Sequence, residues 1–291
     1  HASWSLMGLS LRAVLQFAYF LILARSLGAS QYGDFAVALA VAMVLSPFAG
    51  LAAGNTLIQK VSSEPLAFAQ EWGNALLRIL LTGIVLVVGM TVFGRLLLPT
   101  LSPLLILFVA ITELLFAKVV DLSAQSFQGF EQFRNFSMIT TSLSVFRILG
   151  VFLFILLSPS RTAVNWSIFY FLATLFCCVF SAWRVSTILA PPQFARHLLF
   201  SDLSTSFYFT LGRASSVSTA DLDKVILARS ASSSVIGNYA AGYRLVQTAF
   251  IPVMALLTAS YTRFFREGAS GLRGSVQVAK TIAPACAIMA A

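Results

Sequence analysis

Runs of about 20 apolar residues, separated by short polar links, recur along the whole chain, and each is long enough to cross a hydrocarbon core of roughly 30 Å as a helix. The pattern predicts spans over Trp4–Ala24, Phe35–Ile58, Ala75–Leu98, Leu104–Phe127, Phe136–Leu157, Val164–Trp183, Ser204–Leu227 and Tyr239–Tyr261, with a further one beginning near Val276. The runs are too long and too continuously apolar for the alternating strands of a barrel. Residues 186–199 are too short to span and mildly amphipathic, with Pro191-Pro192 followed by Phe194, Leu198 and Leu199 beside Arg196 and His197. That composition predicts an interfacial linker. The expected fold class is an all-α membrane protein, a polytopic helical bundle.

One stretch occurs twice. Residues 22–36 and 226–240 align without a gap at a spacing of 204, and eight of the fifteen pairs are identical. In each copy an apolar run ends in Ile-Leu-Ala-Arg-Ser, a short polar link with a glycine at the matching place follows (Gly33 or Gly237), and a new apolar run begins. This reads as a hairpin between two helices repeated one long period later, and a repeat of this size predicts two like halves. The second half is expected to be cut short: the chain opens at His1 directly in an apolar run and closes at Ala291 inside another. A full pair would approach about 400 residues. Prolines sit at nearly corresponding places, Pro47 in the second span and Pro252 in the eighth, where each predicts a helix kink.

Composition supports the membrane reading. Hydrophobic residues make up 58% and charged residues 10%, against roughly 25% charged in soluble domains. The net charge of +9 is spread between links and spans with no basic patch, so nucleic acid is not an expected partner. Counted over the links, an inside N-terminus places Lys60, Arg134, Arg184, Arg196, Arg263, Arg266 and Arg273 within and Arg25, Arg95, Arg161 and Arg229 without. The excess favours a cytoplasmic N-terminus. Cys177, Cys178 and Cys286 lie inside apolar runs and read as packing residues.

No enzyme signature stands out, neither a phosphate-cradling glycine loop, nor a zinc-binding His-Glu-x-x-His, nor a nucleophile elbow. The expectation is a non-enzyme with no cofactor. The remaining chemistry is charge within the membrane, which costs about 2.5–3.5 kcal/mol per group at a helix centre and is therefore paired or functional. Arg12, Arg147 and Arg213 fall in mid-span with no partner on their own helix; Glu113, Lys118 and Asp121 are also deep; Asp221, Asp223, Lys224 and Arg244 lie in the outer thirds of their spans. Lys118–Asp121 and Asp221–Lys224 are spaced for internal ion pairs, so the acids read as coupling or charge-pair groups. The cationic residues Arg12, Arg147, Arg213, Lys224 and Arg244 are the candidate substrate-binding set, because a guanidinium fork suits phosphate or pyrophosphate oxygens. Duplicated halves with interrupted helices in corresponding positions point to alternating access.

These residues also carry a resemblance. Arg25-Ser26-Leu27-Gly28 with Tyr32-Gly33, and Asp223 followed by Ile236-Gly237-Asn238-Tyr239 through Arg244-Leu245, resemble the corresponding stretches of Wzx-like polysaccharide and O-antigen flippases. Those are members of the multidrug/oligosaccharidyl-lipid/polysaccharide exporter superfamily. The resemblance implies two six-helix lobes: residues 1–185 an N-lobe of six transmembrane helices, 186–199 the linker, and 200–291 the start of a C-lobe with two helices and part of a third. It implies flipping of an undecaprenyl-pyrophosphate-linked oligosaccharide across the bacterial inner membrane for surface polysaccharide export. The implied partners are the lipid-linked oligosaccharide, membrane lipids, and polysaccharide polymerase and glycosyltransferases. Two other readings stand beside it. A cation-coupled multidrug exporter of the same fold would favour an acid-dominated cavity, and a non-transporting membrane scaffold of glycan assembly would leave the buried arginines dispensable.

Overall fold

The computed structural model describes residues 2–194 and 203–249, and all regular structure among them is helical. The first two expected spans form α1 (Ala2–Leu45), 44 residues long. A straight helix of that length would measure about 66 Å, twice the hydrocarbon thickness. It is not straight: Gly28 sits at φ 74° and ψ 170°, a region open essentially to glycine alone, and it divides α1 into two arms.

The second arm stops earlier than the apolar pattern predicts. Pro47, expected to kink a continuing helix, lies in a single 3-10 turn (Ser46–Phe48) after α1 has ended. Its missing N–H cannot continue the ladder. Gly50, Leu51 and Ala52 then follow with φ of 81°, 47° and 51°, and α2 (Ala53–Ser63) begins from that left-handed turn. Two non-glycine residues there cost about 1–3 kcal/mol each. The stretch expected as a polar link, Lys60 to Trp72, is also largely helical: α2 runs into a 3-10 turn at Pro65–Ala67 and then α3 (Phe68–Leu97). Glu71 joins them, 2.9 Å from Lys60 Nζ and 3.9 Å from the buried Arg78 guanidinium.

Next come α4 (Pro103–Ile111), a π-helical turn at Thr112–Phe116, α5 (Ala117–Gly129), α6 (Phe133–Leu157) and α7 (Ala163–Ile188). After α7 the chain lies along the start of α3. Gln193 N–H donates to Ala69 O at 2.8 Å, and a Cβ on Gly73 would fall 2.1 Å from Gln193 O. Residues 195–202 lie outside the described set, as do Pro252 and the ninth expected span. α8 (Leu203–Leu227) and α9 (Ser233–Ala249) are the last described helices and pack on α1.

Among the described residues, five segments are long and apolar enough to cross a membrane: Val14–Phe48, Pro65–Leu97, Pro103–Gly129, Phe133–Leu157 and Ala163–Ile188. The more polar α8 and α9 are not among them. Leu81, Ile84, Val85, Val88 and Phe93 on α3, and Leu149, Leu153 and Leu156 on α6, are exposed, as a lipid-facing surface requires. This is a multi-pass membrane protein. Among the described residues the buried side chains form two clusters along the bundle, one around Trp166, Tyr170, Phe35 and Phe154, the other around Trp72, Phe127, Ile139 and Val185.

At one end of the bundle α1 and α9 touch backbone to backbone. A Cβ on Gly33 would meet Ser233 O at 1.8 Å, and one on Gly237 would meet Ala29 O at 1.9 Å. The contact is reciprocal under the 204-residue shift that relates Ala29 to Ser233 and Gly33 to Gly237.

Trp166 is fully buried and rings with Tyr19, Phe35, Phe154 and Tyr170 surround it. Trp166→Ala is expected to cost about 3–5 kcal/mol and to lower the melting temperature in detergent clearly. Trp183→Ala, at a position 58% exposed, should leave it within error in the same assay.

Candidate functional site: an arginine-lined cavity

Arg147 stands near the middle of α6, and the helix's own side chains offer it no counter-charge. The partner comes from the α4–α5 element. The π-helical turn at Thr112–Phe116 inserts one extra residue into the helix, a device common at functional positions, and Glu113 lies within it. Arg147 Nη2 is 2.7 Å from Glu113 Oε1. Tyr170 of α7 donates its hydroxyl to the same oxygen, and the Arg147 Cζ lies 4.6 Å from the Tyr170 ring centroid. Three helices thus meet on one guanidinium. Its Nε is buried without a hydrogen-bond partner among the described residues. Arg147, expected to be unpaired, is therefore paired. The pattern on one helix cannot reveal a partner 34 residues away on another.

The rest of Arg147 faces a small cavity of about 70 Å³. Gln16, Tyr19, Tyr32, Ser144, Tyr170 and Arg244 contribute its other polar walls, and Phe20, Phe35, Leu39 and Met43 the apolar ones. Arg244 comes from α9 and hydrogen-bonds the Tyr32 side chain of α1. A second hollow of about 200 Å³ shares Tyr32, Leu39, Met43 and Arg244 with the first and adds Asp221, Lys224 and Tyr243. Lys224 Nζ is 2.9 Å from Asp221 and 3.4 Å from Asp223, and 4.2 Å from the Tyr243 ring centroid. Asp223 in turn accepts from Tyr239 at 2.5 Å. The Asp221–Lys224 spacing seen in the sequence is thus a real ion pair, with Asp223 as a second acid on the same ammonium.

The structure therefore brings Arg147, Arg244, Lys224, Asp221 and Asp223 to one connected region between α1, α6, α7, α8 and α9. Lys118 and Asp121 are elsewhere. They line a separate pocket of about 50 Å³ with Pro47, Asn55 and Gln125, against the break that follows α1. Arg12, on the first arm of α1, lies within the electrostatic field of both Asp121 and Arg147. Arg213 is on α8, and its side chain is outside the described set. Sequence reasoning missed Tyr19, Tyr32 and Tyr170. Only Tyr32 carried a signal, as its place in the repeated link adjoins the shared glycine.

Breaking one partner of a buried ion pair costs about 3–5 kcal/mol, because the other charge is left uncompensated. Glu113→Gln and Arg147→Gln should each lower stability by that order. The double variant should be less destabilised than the sum of the two by about 0.5–3 kcal/mol. Thermal unfolding of the four proteins in one detergent checks this, and strict additivity would show that the pair is not coupled.

Two comparisons with known proteins bear on the site. The model of a family described as polysaccharide biosynthesis protein matches residues 1–266. The solved structure of the MATE multidrug transporter DinF-BH is similar at a TM-score of 0.73 and 13% identity, over 98% of this chain and 70% of that one. No significant match to a curated protein was found. The family and the structural neighbour both fall within the exporter superfamily that the link motifs resemble.

Proposed function

Because the chain belongs to the polysaccharide biosynthesis protein family, we propose that this membrane transporter flips an undecaprenyl-pyrophosphate-linked oligosaccharide across the bacterial inner membrane by alternating access. The observation that carries the reading is the joint presence of Arg147 and Arg244 in one cavity, with Lys224 in the adjoining hollow. A diphosphate entering an apolar-walled space needs fixed cationic donors. Arg147 is held for that task by Glu113 and Tyr170, and Arg244 by Tyr32. Arg12 and Arg213 would extend the cationic lining. Lys118 and Asp121, beside the broken helix at Pro47, would respond to the movement of that segment. Pro252 would mark the corresponding break in the second lobe.

In this reading residues 1–185 form the N-lobe, 186–199 the linker and 200–291 the start of the C-lobe. The N-terminus is cytoplasmic, as the excess of basic residues in the inner links favours. The working partners are membrane lipids, the lipid-linked oligosaccharide, and the glycosyltransferases and polymerase that make and consume it. No step requires a cofactor or enzymatic chemistry from this chain. The likeness to a multidrug transporter supports a second reading, a cation-coupled exporter of the same fold. The cavity's lining weighs against it, since a site for cations would put unpaired acids where Arg147 and Arg244 stand.

Complementation of a flippase-deficient bacterium separates these readings. The wild-type protein should restore surface polysaccharide. Arg147→Ala and Arg244→Ala, at matched membrane levels, should lower it by about thirtyfold or more, the equivalent of at least 2 kcal/mol for a desolvated charge contact. Arg147→Lys should not rescue, because a point charge does not reproduce the bidentate fork. Normal export by the alanine variants would instead favour the scaffold reading. Wild type that restores no polysaccharide but extrudes cationic dyes would favour the drug exporter.

A further inference from the structure

A larger hollow, of about 680 Å³, lies apart from the arginine-lined cavity, between the second arm of α1, the C-terminal half of α3 and the end of α8. It shares no lining residue with the two hollows that hold Arg147, Arg244 and Lys224. On α8, Leu222, Val225 and Ile226 face it, at the i, i+3, i+4 spacing that puts residues on one side of a helix. Asp221 and Lys224 face the charged hollow instead. Along α3 the apolar wall runs from Val85 to Leu97, about 18 Å at the rise of a helix. That is close to the depth of one leaflet, half of a hydrocarbon core of roughly 30 Å. The walls from α1 and α3 both belong to segments able to cross the membrane. At Gly89, in the α3 wall, an added Cβ would meet nothing within 4 Å. Charge enters at one end only. α3 ends at Leu97 and α8 at Leu227, and Arg229, just beyond α8, is the one charged group in the lining among the described residues. Arg229 is exposed and makes no ion pair with a described residue.

We propose that this hollow binds a glycerophospholipid of the surrounding membrane, with one acyl chain between α1, α3 and α8 and the phosphate on the Arg229 guanidinium. Apolar hollows stay dry and take up apolar molecules, and this one falls within the roughly 300–1,000 Å³ of small-ligand sites. A leaflet-long apolar slot with a cation at its mouth matches an amphiphile whose anionic group lies at the interface. Arginine is weakly hydrated and its planar fork pairs with phosphate oxygens. The chain would also complete the packing of α8, which leans chiefly on α1. The tail of the lipid-linked oligosaccharide suits the slot less well. An undecaprenyl chain is far longer than the slot, and its diphosphate is assigned above to Arg147 and Arg244 in the other cavity. The lipid site needs only the membrane setting and does not rest on the flippase reading.

The test is photolabelling of the purified full chain in detergent, using phosphatidylglycerol with a diazirine in mid-chain, followed by peptide mapping. Label should concentrate on α3 between Val85 and Leu97 and on α8 between Leu222 and Leu227. Gly89→Phe, which fills the hollow from its wall, should lower that labelling at least fivefold. Gly212→Phe, at another glycine with open space around it and outside the hollow, should match the parent. Unlabelled phosphatidylglycerol should displace the probe about fivefold more effectively than diacylglycerol with the same chains, since one basic residue near an anionic lipid is worth about 1 kcal/mol. Arg229→Gln should remove that advantage. Arg95→Gln, at an exposed arginine in the last turn of α3 that does not line the hollow, should keep it. If Gly89→Phe disturbs the fold, the comparison of Arg229→Gln with Arg95→Gln decides alone. Label spread equally over the lipid-facing Leu149, Leu153 and Leu156 of α6, or an unchanged phosphatidylglycerol advantage in Arg229→Gln, would overturn the site. Stronger displacement by undecaprenyl phosphate than by phosphatidylglycerol would assign the hollow to the substrate's tail and overturn the phospholipid. A protein that labels as expected but moves no lipid-linked glycan would retain the lipid site and lose the flippase reading.

Discussion

A guanidinium in an apolar interior must be matched by charge and hydrogen bonds or the fold does not tolerate it, and the architecture around Arg147 is arranged to meet that constraint. Glu113 supplies the charge, Tyr170 shares its oxygen and presents its ring, and the π-helical turn at Thr112–Phe116 is where Glu113 lies. The three residues come from three different elements, so the cluster also fixes how the π-helical turn between α4 and α5, α6 and α7 stand against one another. An ion pair neutralised wholly within the core would offer nothing to a ligand. Here the arginine also lines the cavity, and Arg244 approaches from α9 to share it.

The irregular backbone lies where such a cavity needs it. Non-helical segments at membrane depth are tolerated when they are buried in protein or line a hollow. The turn through Gly50, Leu51 and Ala52 lies beside the pocket that holds Lys118 and Asp121, and the break at Gly28 begins the arm that carries Tyr32 and Gly33. The regular helices, by contrast, supply the lipid-facing surface and the two aromatic and aliphatic cores. Rigid elements hold the charges, and the departures from helix occur at places where the chain turns or where two segments meet.

Much of this was legible in the sequence for simple reasons. Apolar runs of spanning length predict helices directly, and charge in such runs marks Arg147, Arg244, Lys224 and Glu113 because it is costly there. The Asp221–Lys224 pair was readable because helical spacing relates residues on one element. The Glu113–Arg147 pair was not, since no local pattern connects two helices 34 residues apart. Tyr170 was hidden among the aromatic residues of an apolar run, where its hydroxyl gives no signal until a buried acid is placed beside it. Pro47 announced a disturbance, but its consequence was a helix end followed by left-handed Leu51 and Ala52, conformations that their side chains disfavour and only the packed surroundings impose. Gly33 and Gly237 stood out as identities in the repeated link, and only the crossing of α1 with α9 gives them a steric reason to be glycine.

The most direct measurement of the central claim is flipping by the purified protein in proteoliposomes, using a fluorescent undecaprenyl-pyrophosphate-linked oligosaccharide and a membrane-impermeant quencher. The account predicts protein-dependent loss of protection for the diphosphate lipid, inhibition by inorganic pyrophosphate, and no comparable movement of a neutral lipid carrying the same glycan. Equal movement of the neutral and the diphosphate lipids, insensitive to pyrophosphate, would contradict an arginine-lined cavity as the seat of recognition.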